Sequence, residues 1–287
     1  MSEPPIPLTT DPALLAEAVA WQQECGVFDI LSAEPVDAFL AKASAAASAQ
    51  ALETPAIRPA AARPTAPKPA PAVRTNQHAR RGLEAVDDIA EAEKLAAACG
   101  TIKELREAVE AFEGCLLKET ASNTVFADGV EDTDVFIIGE APGADEDRQG
   151  KPFVGRSGQM LDSMLSYIGL NREENFRITN IVFWRPPGNR KPNAGEVALC
   201  WPFSKRHIEL VQPKVILAVG GLSAQTLIDP NLRITRERGK WKSFEVGGKD
   251  VPVLPTLHPA YLLRQPINKR EAWTDLLILK QFLSENP

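Results

Sequence analysis

Cysteine, histidine and tyrosine are scarce in these 287 residues, at four, three and two copies. Four cysteines, scattered at positions 25, 99, 115 and 200, do not make the disulfide framework of a small secreted scaffold. No window approaches about 18 consecutive apolar residues, which excludes a membrane-spanning helix. The first ten residues lack a basic stretch followed by an apolar core, so no signal peptide is expected and the chain reads as soluble and cytoplasmic. Neither G-x-G-x-x-G nor G-K-S/T occurs where a strand would run into a helix, so a dinucleotide or nucleotide-triphosphate fingerprint is missing as well. No internal repeat is present. What remains is an ordinary globular composition, 44% hydrophobic and 24% charged, long enough for one large domain with an appendage.

The net charge of −6 taken alone argues against a nucleic-acid partner, but the distribution of charge argues for one. Residues 1–42 hold seven acids and one base, and residues 83–132 hold thirteen acids against four bases. Residues 151–287 hold twelve acids and twenty bases, a local excess of eight positive charges. A basic half masked by acidic segments is the footprint of a phosphate-backbone binder. The same side chains would also serve simply to solvate a surface.

Residues 43–82 contain fourteen Ala and six Pro, with Leu52, Ile57 and Val73 as the only long apolar side chains. Such a stretch cannot bury enough surface to offset its ordering entropy, and it reads as an extended basic linker. It separates a short N-terminal segment, 1–42, from a body spanning 83–287. In the first segment Asp11 is placed to cap a helix carrying Leu14, Leu15, Ala18 and Trp21, with a second short helix around Val36 to Leu40. The body alternates helix and strand. Helices are expected over 84–98, 101–114, 157–168, 195–210, 222–228 and 269–283. Strands are expected over 134–139, 176–182, 214–220 and 251–255. That alternation predicts a parallel sheet covered on both faces, with chemistry in the loops that leave the strands' carboxyl ends.

Four segments fall on those loops. Gly139-Glu-Ala-Pro-Gly-Ala-Asp-Glu-Asp147 carries four acids, which would repel a phosphate and suit a developing cation or an activated water; an acidic solvated turn is the alternative. Gly150-Lys-Pro-Phe-Val-Gly-Arg-Ser157 places Phe153 before a helix, either as core filler or as a flat stacking surface. Asn180 ends the second strand, where its amide offers a donor and an acceptor to a base edge or caps a turn. Arg185 and Arg190 follow in a Pro-Gly loop, as phosphate contacts would. Finally, Leu254-Pro-Thr-Leu-His258-Pro-Ala-Tyr-Leu-Leu-Arg264 sets a histidine ahead of an apolar wedge and Arg264.

Taken together and in order, GEAPGADED…GKPFVGRSGQML, ITN…RPPGNRKP and LHPAYLLR resemble the family 4 uracil-DNA glycosylases, over about residues 112–283. The resemblance implies a three-layer α/β/α sandwich around a four-stranded parallel sheet. It implies a monofunctional hydrolase that flips uracil out of single- or double-stranded DNA and leaves an abasic site. It also implies roles: Glu140 and Ala141 beside the base, Glu146 near the scissile bond, Phe153 stacked on uracil and Asn180 reading its edge. His258 would stabilise the uracil O2, Leu262 or Leu263 would fill the vacated place in the duplex, and Arg185, Arg190 and Arg264 would contact DNA. In better-known uracil glycosylases an aspartate orients water where this chain has Ala141, which leaves Glu146 or a water held by Glu140 for that task.

Members of that family carry a four-iron, four-sulfur cluster on four cysteines. The matching positions here are Phe112, Cys115, Trp184 and Cys200, so two of the four ligands are aromatic and cannot bind iron. Cys115 and Cys200 remain as candidate metal ligands; Cys99 and the distant Cys25 are the only other cysteines. The expectation is therefore no cofactor for the chemistry and no cluster. Two rival readings stand beside the glycosylase: a relative that cross-links to the abasic sugar, although the K-R-R-I-H insert of that subclass is missing, and a DNA-binding scaffold without chemistry. A monomer is expected, with the N-terminal segment free to engage another protein.

Overall fold

The computed structural model describes residues 77–286. The two N-terminal helices expected before residue 43, and nearly all of the 43–82 linker, lie outside the described residues. Helix α1 (Gln77–Ala98) begins seven residues ahead of the start expected at 84. Helix α2 (Ile102–Ala111) follows, opened by Thr101, whose hydroxyl accepts from the Glu104 amide at 3.1 Å as the capping pattern requires. Short helices occupy four of the later connections: α3 (Leu117–Thr120), α4 (Ala144–Gln149), α7 (Gly221–Leu227) and α8 (Ile234–Glu237).

Four strands run parallel in the order β3 (Phe176–Asn180), β2 (Val135–Gly139), β4 (Val215–Val219) and β6 (Lys249–Thr256). Every residue of β2, β3 and β4 is buried, which is why β2 and β4 read as unbroken apolar runs rather than alternations. Two short antiparallel strands extend this parallel core, β1 (Ala127–Gly129) beside β3 and β5 (Lys242–Val246) beside β6. The expectation of four strands thus holds for the parallel core, within a six-stranded sheet.

Alternate side chains serve opposite layers. Phe136, Ile138, Ile216 and Ala218 pack with Leu105, Val109, Phe203 and Ile208 from α2 and α6 (Ala194–Val211). Val135, Ile137, Leu217 and Val219 pack with Leu161, Leu165, Leu276 and Leu279 from α5 (Arg156–Ser166) and α10 (Lys269–Glu285). The result is the α/β/α sandwich. Its strand order reverses direction between β2 and β4, and a crevice opens outside the carboxyl ends of the strands at such a switch point. None of the described helices is long and apolar enough to cross a membrane.

Candidate active site

A cleft of about 550 Å³ occupies that switch point. Glu140 after β2, Asn180 at the end of β3, Gly220 after β4 and His258 after β6 all line it, so each parallel strand delivers one residue. Ala141, Glu146, Phe153, Arg190 and Arg264 line it too.

Phe153 is 5% exposed, with a left-handed backbone at φ 55° that a bulky residue adopts only when its surroundings impose it. The surroundings are two glycines. A Cβ on Gly139 would lie 2.3 Å from the Phe153 ring and 2.6 Å from the Asn180 amide oxygen. One on Gly158 would lie 1.9 Å from the Phe153 carbonyl oxygen. The ring therefore sits flush against bare backbone on the cleft floor.

His258 caps α9 (Pro259–Arg264), its Nδ1 accepting from the Ala260 amide at 3.1 Å. An amide can only donate, so Nδ1 carries the lone pair and the neutral ring carries its proton on Nε2. Burial first, and the nearby Arg264 charge second, lower the imidazole to about 4, which keeps that tautomer at neutral pH. The site thus holds an uncharged hydrogen-bond donor. Burial raises the Glu140 carboxyl above its ordinary range, an effect that Lys191, also lining the cleft, partly offsets. The Asn180 side chain makes no hydrogen bond among the described residues, so its donors and acceptor remain available.

Glu146 lines the cleft with both oxygens already engaged. Its Oε1 accepts from the amides of Val154 at 3.0 Å and Gly155 at 2.8 Å, and its Oε2 accepts from Gly143 at 3.1 Å. One carboxylate so placed ties the loop after β2 to the segment carrying Phe153. The second half of the acidic loop is helix α4, with Glu146 in its first turn and Asp147 buried against the amides of Ser122 and Asn123.

Among the expected DNA contacts, Arg264 is exposed at the cleft with no ion pair among the described residues. Arg190 also lines the cleft, but its guanidinium is paired with Glu196 at 2.6 and 2.9 Å. Arg185 lies off the cleft lining and donates to the Asn189 side chain at 2.7 Å. Leu262 is 1% exposed and packs with Leu257 and Ala272, whereas Leu263 is 39% exposed, so only Leu263 presents an apolar side chain to solvent. Four further cleft residues, Ser157, Lys191, Thr235 and Tyr261, were not singled out as site residues by sequence. Ser157, Lys191 and Tyr261 sit inside the quoted motifs GKPFVGRSGQML, RPPGNRKP and LHPAYLLR, whereas no local pattern surrounds Thr235.

At the positions matching the cluster ligands, Phe112 and Trp184 are both buried in the core layer, at 2% and 1% exposure. Phe112 packs on Phe203 with ring centroids 5.2 Å apart, and the Trp184 indole donates to the Thr124 hydroxyl at 3.0 Å. Cys115 and Cys200 lie in the same core layer, both fully buried, and burial holds the Cys200 thiol well above its usual range. Cys99 instead donates to its own helix at Leu95. Aromatic side chains fill the volume that two ligands would need, so the residues present do not fit a four-thiolate cluster.

The chain matches the model of the uracil DNA glycosylase superfamily over residues 126–277. It is 38% identical to a type-4 uracil-DNA glycosylase of Pyrobaculum aerophilum over 179 residues, covering 61% of this chain and 91% of that one. Against the type-4 uracil-DNA glycosylase of Thermotoga maritima the identity is 38%, over 62% of this chain and 93% of the relative. Against that of Archaeoglobus fulgidus it is 41%, over 56% and 82%. A flat ring, a free amide, a half-buried carboxyl and a neutral imidazole converge at a sheet switch point in a chain that belongs to the uracil DNA glycosylase superfamily, alongside its type-4 members.

Proposed function

We propose that this protein is a DNA-repair enzyme that hydrolyses the bond between uracil and deoxyribose in DNA, and that residues 83–287 form its catalytic unit. Uracil in a duplex is out of reach of any side chain, so the nucleotide is first extruded into the cleft. Stacking on Phe153 returns about 1–3 kcal/mol of that cost. Asn180 offers its amide to the edge of the base. As the glycosidic bond lengthens, the sugar gains positive charge and the base gains negative charge on O2. The His258 Nε2–H donates to that oxygen without a proton changing hands, which is how a preorganised dipole favours the transition state. Glu140 is assigned to stabilise the cationic sugar and to hold the attacking water, taking its proton as the C1′–O bond forms while uracil leaves as the anion that His258 stabilises. Glu146 shapes the site by holding its loops, and Leu263 is the side chain that takes the place of the extruded base.

The single observation that carries this reading is the hydrogen bond from the Ala260 amide to His258 Nδ1, because it fixes a neutral donor facing the cleft. A lysine-dependent lyase step is not part of the proposal: Lys191 reaches the cleft but is exposed, without the burial that activates an amine. The chemistry is proposed to need no cofactor, and the packing of Phe112 and Trp184 supports a chain without the iron–sulfur cluster. Its partner is uracil-containing DNA, single- or double-stranded, bound by a monomer in the cytoplasm. The decisive experiment follows uracil release from single- and double-stranded oligonucleotides by purified protein. Alkali-labile abasic sites are expected, with no strand break before alkali. Uracil-containing DNA that stays intact, or a covalent protein–DNA adduct, would overturn the proposal.

A further inference from the structure

Arg172, in the connection between α5 and β3, lies outside the cleft, yet it makes five polar contacts, two of them on the backbone that carries Phe153. Its Nη1 donates to the Pro152 carbonyl at 2.7 Å and to Asp128 at 3.2 Å. Its Nη2 donates to the Phe153 carbonyl at 2.8 Å and to both Asp162 oxygens, at 2.9 and 3.1 Å. The next two residues, Val154 and Gly155, give their amides to Glu146. The segment Pro152–Gly155 is therefore gripped from two sides, its carbonyls by a guanidinium and its amides by a carboxylate.

This grip falls on the one bulky residue of the cleft with a left-handed backbone, Phe153 at φ 55°. A residue in that region relaxes unless its neighbours over-determine it. Only a planar fork of donors reaches two successive carbonyls and two carboxylates together, and a lysine ammonium does not. The Asp162 and Asp128 carboxylates come from α5 and β1, so the fork is anchored to the sandwich rather than to the loop it holds.

We propose that Arg172 is a positioning residue for uracil recognition: it fixes the Phe153 backbone so that the ring is set for stacking before the base arrives. The inference rests on the glycosylase reading above. Arg172 acts through Phe153 alone, so the two residues share one energy rather than contributing separately.

The test compares the full-length chain with Arg172→Lys, Phe153→Ala and the double variant. Binding is measured to an oligonucleotide carrying a non-hydrolysable 2′-fluorinated deoxyuridine and to the same sequence without uracil. Arg172→Lys is expected to cut the preference for the uracil strand about tenfold, a part of the stacking energy, with binding to undamaged DNA unchanged. The double variant is expected to match Phe153→Ala within about twofold, as coupled sites do. Asp162→Asn, which loosens the anchor while leaving the arginine, is expected to lose preference in the same direction and to keep the molecule folded. Losses that multiply in the double variant, or a folded Asp162→Asn and Arg172→Lys with full preference, would overturn the inference alone. A wild-type chain indifferent to uracil would overturn the function and this inference with it.

Discussion

The imidazole of His258 lies beside the phenyl ring of Phe153, centroids 5.7 Å apart and planes inclined by 30°. The two rings are 105 residues apart in the chain and meet because the segments that follow β2 and β6 leave the same end of the sheet. A base stacked on one would place its edge within reach of the other. In the proposed reaction, recognition and charge stabilisation would share that one contact.

His258→Ala is expected to lower the single-turnover rate by about 10²-fold or more, the usual effect of losing a preorganised donor to a developing oxyanion. The wild-type rate should show no inflection near the ordinary histidine value of about 6.5, because the ring stays neutral down to about 4. An inflection above the ordinary carboxylate range that vanishes in Glu140→Gln belongs to Glu140, whose carboxyl burial raises. Rates measured across the acidic and neutral range at saturating enzyme make the distinction. A step at the ordinary histidine value that disappears in His258→Asn would mean that the imidazolium does the work.

The same burial couples stability to pH. An unfolded histidine titrates at about 6.5, whereas the folded His258 titrates at about 4. Between those values the unfolded chain binds more protons, so stability rises with pH across the window. The contribution is complete above about pH 6.5 and is lost as the pH falls toward 4. His207, held well below its usual range by burial, adds an effect of the same sign. In His258→Asn the amide can replace the cap on α9 without titrating. Its Tm is expected to fall less between about pH 7 and about pH 5 than that of the wild type, and equal falls would show that His258 is not the group involved.

The parallel core and its site were legible because burial on both faces leaves a plain trace. Val135 to Ile138 and Val215 to Val219 are apolar without interruption, and Glu140, Asn180 and His258 stand where those strands or their neighbours end. Edge strands leave no such trace. Ala127–Gly129 has three residues and Lys242–Val246 is half solvated, so neither shows a run or a clean alternation. Leu262 and Leu263 are chemically alike, and only the turn of α9 sends one inward and the other out. Arg172 escapes for a different reason. Its partners Pro152, Phe153, Asp162 and Asp128 are 10 to 44 residues away, so no local pattern marks it.

Cys115 and Cys200 should be dispensable for catalysis. Cys115→Ser is expected to excise uracil at the wild-type rate, with some loss of Tm from placing a hydroxyl in an apolar layer. Anaerobically purified wild-type protein is expected to be colourless, without the broad visible absorption of iron bound by thiolates. A brown preparation with stoichiometric iron that is bleached in Cys115→Ser would show that the chain rearranges around Phe112 and Trp184 to take up a cluster.

The two glutamates of the loop after β2 should separate cleanly. Glu146 has both oxygens engaged by three backbone amides. Glu146→Gln keeps the shape but turns an NH2 group toward at least one of those donors. Losing a hydrogen bond to a charged acceptor costs about 1.5–3 kcal/mol, which in a domain of this size lowers Tm by roughly 3–12 °C. The rate should fall with it, because the same bonds hold the Phe153 segment against the loop. Glu140→Gln removes a charge that burial already disfavours, so its Tm is expected to stay level or rise while the rate drops at least about tenfold. Thermal melts and single-turnover rates on the same preparations make the comparison. A Glu146→Gln variant with unchanged Tm and a rate loss matching Glu140→Gln would place Glu146 in contact with the reacting atoms rather than behind them.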